Sequence, residues 1–411
     1  MIARIAICGG VAPPFDYWVP AGLAVTPGSV VRVTLNRRAA IGVVVALDAA
    51  AAVAPDKLHA LDEVVALPPL PAELMDLAQF VAGYYHEPIG AVLGNVVPPL
   101  KTLRGRRRAV AAAPADAAFT RNPAQAAAVA SIDAAAGAFG VFVLSGVTGS
   151  GKTAVYLGAA EAAIARGGQA LILVPEINLT PQFERQVASG LPSARIVTLH
   201  SGLAAGTRNA SWRAAAAGEA DVILGTRLAV FAPAPKLALV VVDEEHDPSY
   251  KQQDGVRYHA RDVAIWRAHA RGVPIVLGSA TPSLETLHNA ELGRYRMLVL
   301  PARARAAARA ATVALVPTRD ARAHDGIAGP IWDALGARLA AREQSLVFVN
   351  RRGFAPALKC AACAWQATCP HCSARLVVHR TPALMRCHHC GHAERPPRAC
   401  PQCGNVDLLP Q

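Results

Sequence analysis

The stretch Gly146–Thr153 reads GVTGSGKT, follows the apolar run GVFVLSG and leads into a segment of helical character. The pattern G-x-x-x-x-G-K-[ST] between a strand and a helix is a phosphate cradle. Its glycines keep Cβ atoms away, so that backbone N–H groups can wrap phosphate oxygens, and the helix N-terminus adds partial positive charge. Gly146, Val147, Thr148, Gly149, Ser150, Gly151, Lys152 and Thr153 are therefore candidate ATP-binding residues. Lys152 would reach the β- and γ-phosphates, and the Thr153 hydroxyl would ligate Mg²⁺.

Around this loop the pattern is that of a parallel sheet. ALILVPE, ARIVTLH, DVILGT, LALVVVDEE and PIVLGSAT follow GVFVLSG, each a nearly continuous apolar run separated from the next by a helical segment. Such runs belong to strands covered on both faces. LALVVVDEEH ends in an acidic pair, which in isolation reads as a helix N-cap. Beside a P-loop, Asp243 becomes the carboxylate that helps hold Mg²⁺ and Glu244 the one that orients or deprotonates the attacking water. GSATPS (Gly278–Ser283) is by itself an ordinary hydroxyl-rich turn. At the end of the next strand it should lie beside Asp243, at the sheet edge where such folds bind ligands.

The domain plan follows from shifts in pattern. Residues 1–100 hold short β-like runs (ARIAI, SVVRVTL, IGVVVAL) and a helical stretch from Pro71, giving a small, mainly β domain. Residues 101–118 are basic and Ala/Pro-rich and read as a linker, with RGRRR at Arg104–Arg108. A P-loop lobe spans 119–300. Residues 301–359 hold a connection, a helix at GPIWDALGARLAAR and one strand, SLVFVN. A cysteine module fills 360–404, and 405–411 read as a truncated return to the second lobe that starts over 301–359.

Eight of the nine cysteines form four Cys-x-x-Cys pairs: Cys360/Cys363, Cys369/Cys372, Cys387/Cys390 and Cys400/Cys403. Two thiolates at this spacing can grip one tetrahedral ion, so four pairs supply two Cys₄ zinc sites, closed and therefore structural. Redox pairs would call for a thioredoxin-like βαβ setting, which is missing. Spacing leaves sequential, interleaved and nested pairings open. Cys8 is a lone thiol in an apolar strand and reads as packing.

The formal net charge of +12 suits a polyanionic partner, although scattered surface arginines give the same total. The segment His246–Asp262 mixes two tyrosines with cations, glutamines and histidines. Rings beside cations suit single-stranded nucleic acid; a solvated loop is the plainer reading. No apolar window of about eighteen residues suggests a membrane span, and the N-terminus lacks a signal-peptide pattern. A cytoplasmic chain is expected.

GVTGSGKT, LVPEINLTPQ, TLHSGL, GTRLAVFAP, VDEEHDPSYKQQ, RYHARD, LGSATPSLET and NRRGFAP, followed by the four cysteine pairs, resemble the primosomal protein N-prime family of bacterial replication-restart helicases. The resemblance implies superfamily-2 chemistry, with two RecA-like lobes and ATP hydrolysis driving 3′-to-5′ unwinding of forked DNA as primosome assembly begins. It also implies contacts with single-strand-binding protein and other primosome proteins. Gln125 in NPAQAAAV matches the glutamine that recognises adenine. Ser249–Arg261 matches the aromatic-rich loop, making Tyr250, Lys251, Arg257, Tyr258, His259 and Arg261 candidate DNA contacts. The family's zinc pairs are nested, which assigns Cys360, Cys363, Cys400 and Cys403 to one ion and Cys369, Cys372, Cys387 and Cys390 to the other.

Phe15, Asp16 and Tyr17 match the pocket for a DNA 3′ end, with Asn36 where the family has glycine and His59 where it has lysine. The family also carries a winged-helix domain, for which 101–118 is too short, and continues its second lobe beyond the zinc module. On that ground the chain is expected to bind ATP and DNA, yet to hydrolyse slowly and not unwind by itself. The alternative function is a fork-binding, nucleotide-binding scaffold without a motor. A metabolic P-loop ATPase would explain the nucleotide site alone.

Overall fold

The structure is a computed structural model that describes the chain apart from residues 49–53, 55–56, 101–120, 177, 304–311, 317–322, 325–326, 349–356, 364, 373, 380–382 and 411. The expected linker and its run Arg104–Arg108 lie outside the described residues. Two compact units emerge, residues 1–308 and 309–411.

The first unit opens with β1 (Ile2–Ile7), β2 (Phe15–Trp18), β3 (Val30–Leu35), β4 (Arg38–Asp48), β5 (His59–Ala60) and β6 (Glu63–Val64). They form one sheet in the order β5-β2-β1-β4-β3-β6. Alternation along β1, β3 and β4 gives it two apolar sides. Ala3, Ile5, Val31, Val33 and Val44 join one core, while Ala6, Val30 and Val43 face helices α1 (Ala72–Tyr84) and α2 (Ile89–Val96). The strand β2, only four residues long and preceded by two prolines, carries no period long enough to anticipate.

Helix α3 (Pro123–Asp133) starts the P-loop lobe with a reciprocal cap. Asn122 Oδ1 accepts the N–H of Gln125, and Gln125 Oε1 accepts the N–H of Asn122, both at 2.9 Å. There follow β7 (Gly140–Gly146), α4 (Lys152–Ala165), β8 (Gln169–Leu173), α5 (Pro181–Gly190), β9 (Ile196–Leu199), α6 (Ala205–Ala216) and β10 (Val222–Gly225). Then come β11 (Leu237–Asp243), α7 (Ala260–Arg271), β12 (Pro274–Ser279), α8 (Leu284–Glu291) and β13 (Arg296–Leu300). The seven strands pair in parallel in the order β13-β7-β12-β11-β8-β10-β9. The six expected apolar runs are β7 to β12. Sequence pattern missed β13, whose largely exposed residues give an edge strand rather than a buried one.

The sheet's two faces bury different layers. One lies under α3, α4 and α5; the other continues through α7 into the core beneath α1 and α2. The N-terminal sheet and the P-loop lobe are thus joined by a shared apolar layer. Within it the fully buried Arg267 makes a two-pronged ion pair with Glu73, Nε to Oε1 at 2.5 Å and Nη2 to Oε2 at 3.2 Å, and donates to the Val230 carbonyl at 2.7 Å. Phe80 stacks on Trp266 with ring centres 4.4 Å apart, and Trp212 donates to the Val96 carbonyl.

The second unit contains β14 (Ala323–His324), β15 (Ile327–Ala328) and the expected helix, α9 (Gly329–Ala340). The strand expected at SLVFVN does not form over its described residues. No described segment pairs with 345–348, and Leu346 and Phe348 are 97% and 86% exposed. A strand requires a hydrogen-bonded neighbour. In the cysteine module β16 (Leu358–Cys360), β17 (Val377–His379), β18 (Leu384–Arg386), β19 (Ala393–Glu394) and β20 (Leu408–Pro410) form two small antiparallel sheets. Residues 408–410 pair with 358–360, so the module as folded includes chain that its spacing alone assigns to the second lobe.

Candidate functional site

The parallel sheet brings three chain segments to one edge. The P-loop leaves β7, GSATPS leaves β12, and the acidic residues leave β11; β12 lies between the other two strands. Asp243 is in register with Gly278, which meets the expectation that GSATPS stands beside it. Gly149 and Gly151 both hold φ at 82°, in the left-handed region that favours glycine, and this curls the loop into its cradle. Gly151 is the N-cap of α4 and supplies no side chain to its first N–H groups; Ala154 N–H turns back to the Gly151 carbonyl, and those of Lys152 and Thr153 are left for another acceptor.

A cavity of about 330 Å³ opens here, lined by Gln125, Thr148–Ala154, Gln186, Asp243 and Glu244. The buried Oγ of Ser150 has no hydrogen-bond partner among the described residues. Open helix N–H groups, an orphaned hydroxyl and a buried lysine fit a bound polyphosphate. Lys152 Nζ, held near the Gly146 carbonyl at 3.3 Å, lies 3.4 Å from Glu244 Oε1. Asp243 is 8% exposed, and Oδ1 accepts a hydrogen bond from the Tyr156 hydroxyl at 2.8 Å. Burial raises the Asp243 carboxyl above its usual range, against the lowering effect of that hydrogen bond. Gln125 lines the cavity too, with Nε2 donating to the Ser150 carbonyl at 2.9 Å.

The backbone turns sharply after Asp243, with Glu244 at φ 44°. This sends successive glutamates in opposite directions. Glu244 faces the cavity, while Glu245 is fully buried and accepts from the Ser283 N–H (2.6 Å), Thr286 Oγ1 (3.0 Å) and Arg261 Nη1 (3.0 Å). His246 Nδ1 lies 2.7 Å from Ser279 Oγ. Glu245 and His246 thus tie the acidic segment to GSATPS. Sequence reasoning passed over Glu245 because nothing in the letters distinguishes it from Glu244.

The aromatic-rich loop departs from its expectation. Tyr250 and Tyr258 are buried and present no ring to a base: Tyr250 donates to the Asp243 carbonyl at 2.6 Å, and Tyr258 packs edge-on against Phe231. Arg261 is buried as well, bound to Glu245 and Asp262. These three are corrected from candidate DNA contacts to internal struts. Rings that can fill a core lower their free energy by leaving water. Of the other candidates, Arg257 is exposed, and Lys251 and His259 are half-buried. The loop is clasped from the turn that follows α1: the Tyr85 hydroxyl accepts the His259 N–H at 3.1 Å, Glu87 accepts the Arg257 N–H at 3.4 Å, and the Lys251 ammonium sits 5.2 Å from the Tyr85 ring centre.

Phe15, Asp16 and Tyr17 are brought together in a cavity of about 170 Å³, with Thr34, Leu35, Asn36, Lys57 and His59. Asn36 holds φ at 49° and Arg37 at 63°, closing the β3–β4 hairpin. Asparagine is one of the few residues that tolerate this backbone, so it can stand in for glycine. Lys57, which sequence reasoning did not single out, places an amine at the cavity alongside His59. Tyr17 is buried, and its hydroxyl donates to the Thr34 carbonyl.

The thiols gather as two sets of four: Cys360, Cys363, Cys400 and Cys403, and Cys369, Cys372, Cys387 and Cys390. This is the nested grouping. Within each set all sulfurs lie within 4.8 Å of one another, and the nearest pairs stand 3.4–3.6 Å apart. A tetrahedron of Zn–S bonds puts sulfurs roughly 3.8 Å apart, so both sets fit zinc. Backbone N–H groups, chiefly those of Cys363 and Cys390, hold the Cys360 and Cys387 thiols down at about 6.

A P-loop facing an Asp–Glu pair across parallel strands defines a helicase-type nucleotide lobe, and residues 122–290 match the DEAD/DEAH box helicase family. Residues 4–98 match the PriA 3′ DNA-binding domain, and 369–395 the Cys-rich region of PriA DNA helicase. The chain is 42% identical to replication restart protein PriA of Haemophilus influenzae over 271 residues, covering 66% of this chain and 37% of that protein. Identity to PriA of Treponema pallidum is 38% over 336 residues (80% and 50%), and to PriA of Rickettsia felis 31% over 413 residues (99% and 62%). The chain is thus similar to the PriA replication restart proteins in its N-terminal, nucleotide-lobe and Cys-rich segments, and spans 37–62% of the length of these three relatives. Among the described residues no helix is long and apolar enough to cross a membrane.

Proposed function

We propose that this chain binds ATP with Mg²⁺ at the P-loop cavity and serves ATP-dependent, 3′-to-5′ helicase action on forked DNA during replication restart. The observation that carries the reading is the cavity itself, where Thr148–Ala154, Gln125, Asp243 and Glu244 converge. Backbone N–H groups of the P-loop and α4 hold the phosphates, and Lys152 leaves Glu244 for the β- and γ-phosphate oxygens. Asp243 and the Thr153 hydroxyl would hold Mg²⁺, which when bound would supply positive charge at the phosphoryl group. Glu244, released from Lys152, orients the attacking water. Gln125 has one amide hydrogen and one lone pair beyond its two bonds, enough to recognise adenine.

On the DNA side, the Phe15–Asp16–Tyr17 cavity takes the 3′-terminal nucleotide, with Lys57 and His59 near its phosphate. Lys251, Arg257 and His259 contact single-stranded DNA from the loop's outer side. Single-strand-binding protein and other primosome proteins are the proposed protein partners. The two Cys₄ sets hold structural zinc.

The test is steady-state ATP hydrolysis by the whole chain, with and without a synthetic fork. Fork DNA should stimulate hydrolysis, and Lys152→Ala should lower it by about 10²-fold or more, as when a preorganised charge is withdrawn from a transition state. Hydrolysis by Lys152→Ala at the unsubstituted rate would sink the proposal.

A further inference from the structure

Tyr156 lies one helical turn beyond Lys152 on α4, so the two side chains leave the same face of the helix. Lys152 reaches toward Glu244, and Tyr156 reaches Asp243. The ring is buried, yet its hydroxyl ends on the carboxylate at 2.8 Å. Its path crosses β12 at Gly278, the register partner of Asp243. A Cβ on Gly278 would stand 1.6 Å from the phenolic oxygen and 2.7 Å from Cζ. No side chain can occupy that position while the tyrosine stays where it is. Tyr156, Gly278 and Asp243, drawn from a helix and two adjacent strands, therefore interlock.

The choice of donor has chemical content. An ionised carboxylate offers about four acceptor sites, of which the phenol takes one. A lysine or arginine here would make the same bond but cancel the charge that attracts a cation. Phenylalanine would fill the same space and leave the carboxylate free to turn about its broad terminal torsion. Only a neutral donor both fixes the carboxylate and leaves its charge for a metal.

We infer that Tyr156 is a positioning residue for the Mg²⁺ site: its hydroxyl holds the Asp243 carboxylate in the orientation that receives the ion, and Gly278 leaves the space this requires. The inference rests on the nucleotide-site reading above.

The test compares the whole chain with Tyr156→Phe, Gly278→Ala and the double substitution. Mg²⁺ is titrated at fixed concentration of a fluorescent ATP analogue, and metal-free binding of the analogue in EDTA and the thermal midpoint are measured alongside. Tyr156→Phe should raise the half-saturating Mg²⁺ concentration roughly tenfold, the scale of one hydrogen bond to a charged group. Metal-free binding should stay within about twofold, because P-loop contacts to phosphate are untouched. Gly278→Ala should displace the phenol and raise the requirement at least as far. In the phenylalanine background it should add nothing further at Asp243.

An unchanged Mg²⁺ requirement in Tyr156→Phe overturns the inference whatever the midpoint does, since a packing role moves only the midpoint. If Tyr156→Phe shows no cooperative melting, Gly278→Ala carries the comparison, and an unchanged requirement there overturns it equally. If Mg²⁺ fails to tighten analogue binding by the unsubstituted chain, the nucleotide-site reading falls instead, and the inference with it.

Discussion

The strands that carry the nucleotide cavity and the strands that carry the thiols are held in place by different physics. Every residue of β8, β10 and β12 is buried between layers of helices. Each such Val, Leu or Ile side chain contributes roughly 1.5–3 kcal/mol by leaving water. In the cysteine module the strands are two or three residues long. Among the described residues its apolar cluster has seven buried members, and two of those are Cys369 and Cys387 themselves. In the lobe a binding site is added to a core that would exist without it. In the module the binding thiols are themselves part of a small core.

The largest expected effect tests that contrast directly. A zinc-selective chelator, with Mg²⁺ kept in excess, should release two zinc equivalents per chain and unfold the module, removing about 10–16 kcal/mol of apparent stabilisation per site. Mg²⁺-dependent binding of an ATP analogue should persist. Metal release read with a chromogenic indicator, and proteolysis confined to residues 358–410, check the first half; loss of analogue binding on chelation would break the contrast. Cys360→Ser and Cys369→Ser should each leave one zinc equivalent, because the two thiols belong to different sets.

A smaller effect sits inside the first unit. Glu73→Ala leaves the Arg267 guanidinium buried and without its carboxylate, which should lower stability by about 3–5 kcal/mol. A urea midpoint measures it, and a change below about 1 kcal/mol would show that this ion pair does not help join the N-terminal sheet to the lobe.

The smallest effect carries the opposite sign. Burial raises the Asp243 carboxyl, so the unfolded chain ionises first, and above that point the charged form weighs against folding. Asp243→Asn should therefore stabilise the nucleotide-free chain by about 0.5–1 kcal/mol, while abolishing stabilisation by Mg²⁺ and nucleotide. The gain should shrink as pH falls below the folded value, where Asp243 becomes neutral in the native chain, and vanish below the unfolded value. Thermal scans across pH follow it, and a destabilised Asp243→Asn chain at neutral pH would contradict the assignment.

What could be read in the letters follows the same division. The P-loop, the acidic pair and the paired cysteines were legible because their chemistry demands particular residue types at short spacing. The strands β7 to β12 were legible because burial on both faces leaves unbroken apolar runs. Tyr250, Tyr258 and Arg261 misled, since rings and cations look the same in sequence whether they point at DNA or at a core. Glu73 and Arg267 lie 194 positions apart and meet only when the modules close. Tyr156 stands at helical spacing from Lys152, but among Val155 and Leu157 it reads as packing. The space left by Gly278 is visible only in three dimensions.

The clasp between the turn after α1 and the loop after β11 has one more consequence. Tyr85 and Glu87 hold the N–H groups of His259 and Arg257, which are main-chain groups. Every residue except proline carries that donor. The loop can exchange the side chains of its exposed positions, Gln253, Asp254 and Arg257, and with them its preferences for what it touches, while its buried struts and its course over the first module stay in place. Variation in letters and constancy of trace are compatible here because the fastening is made to the part of the chain that substitution does not change.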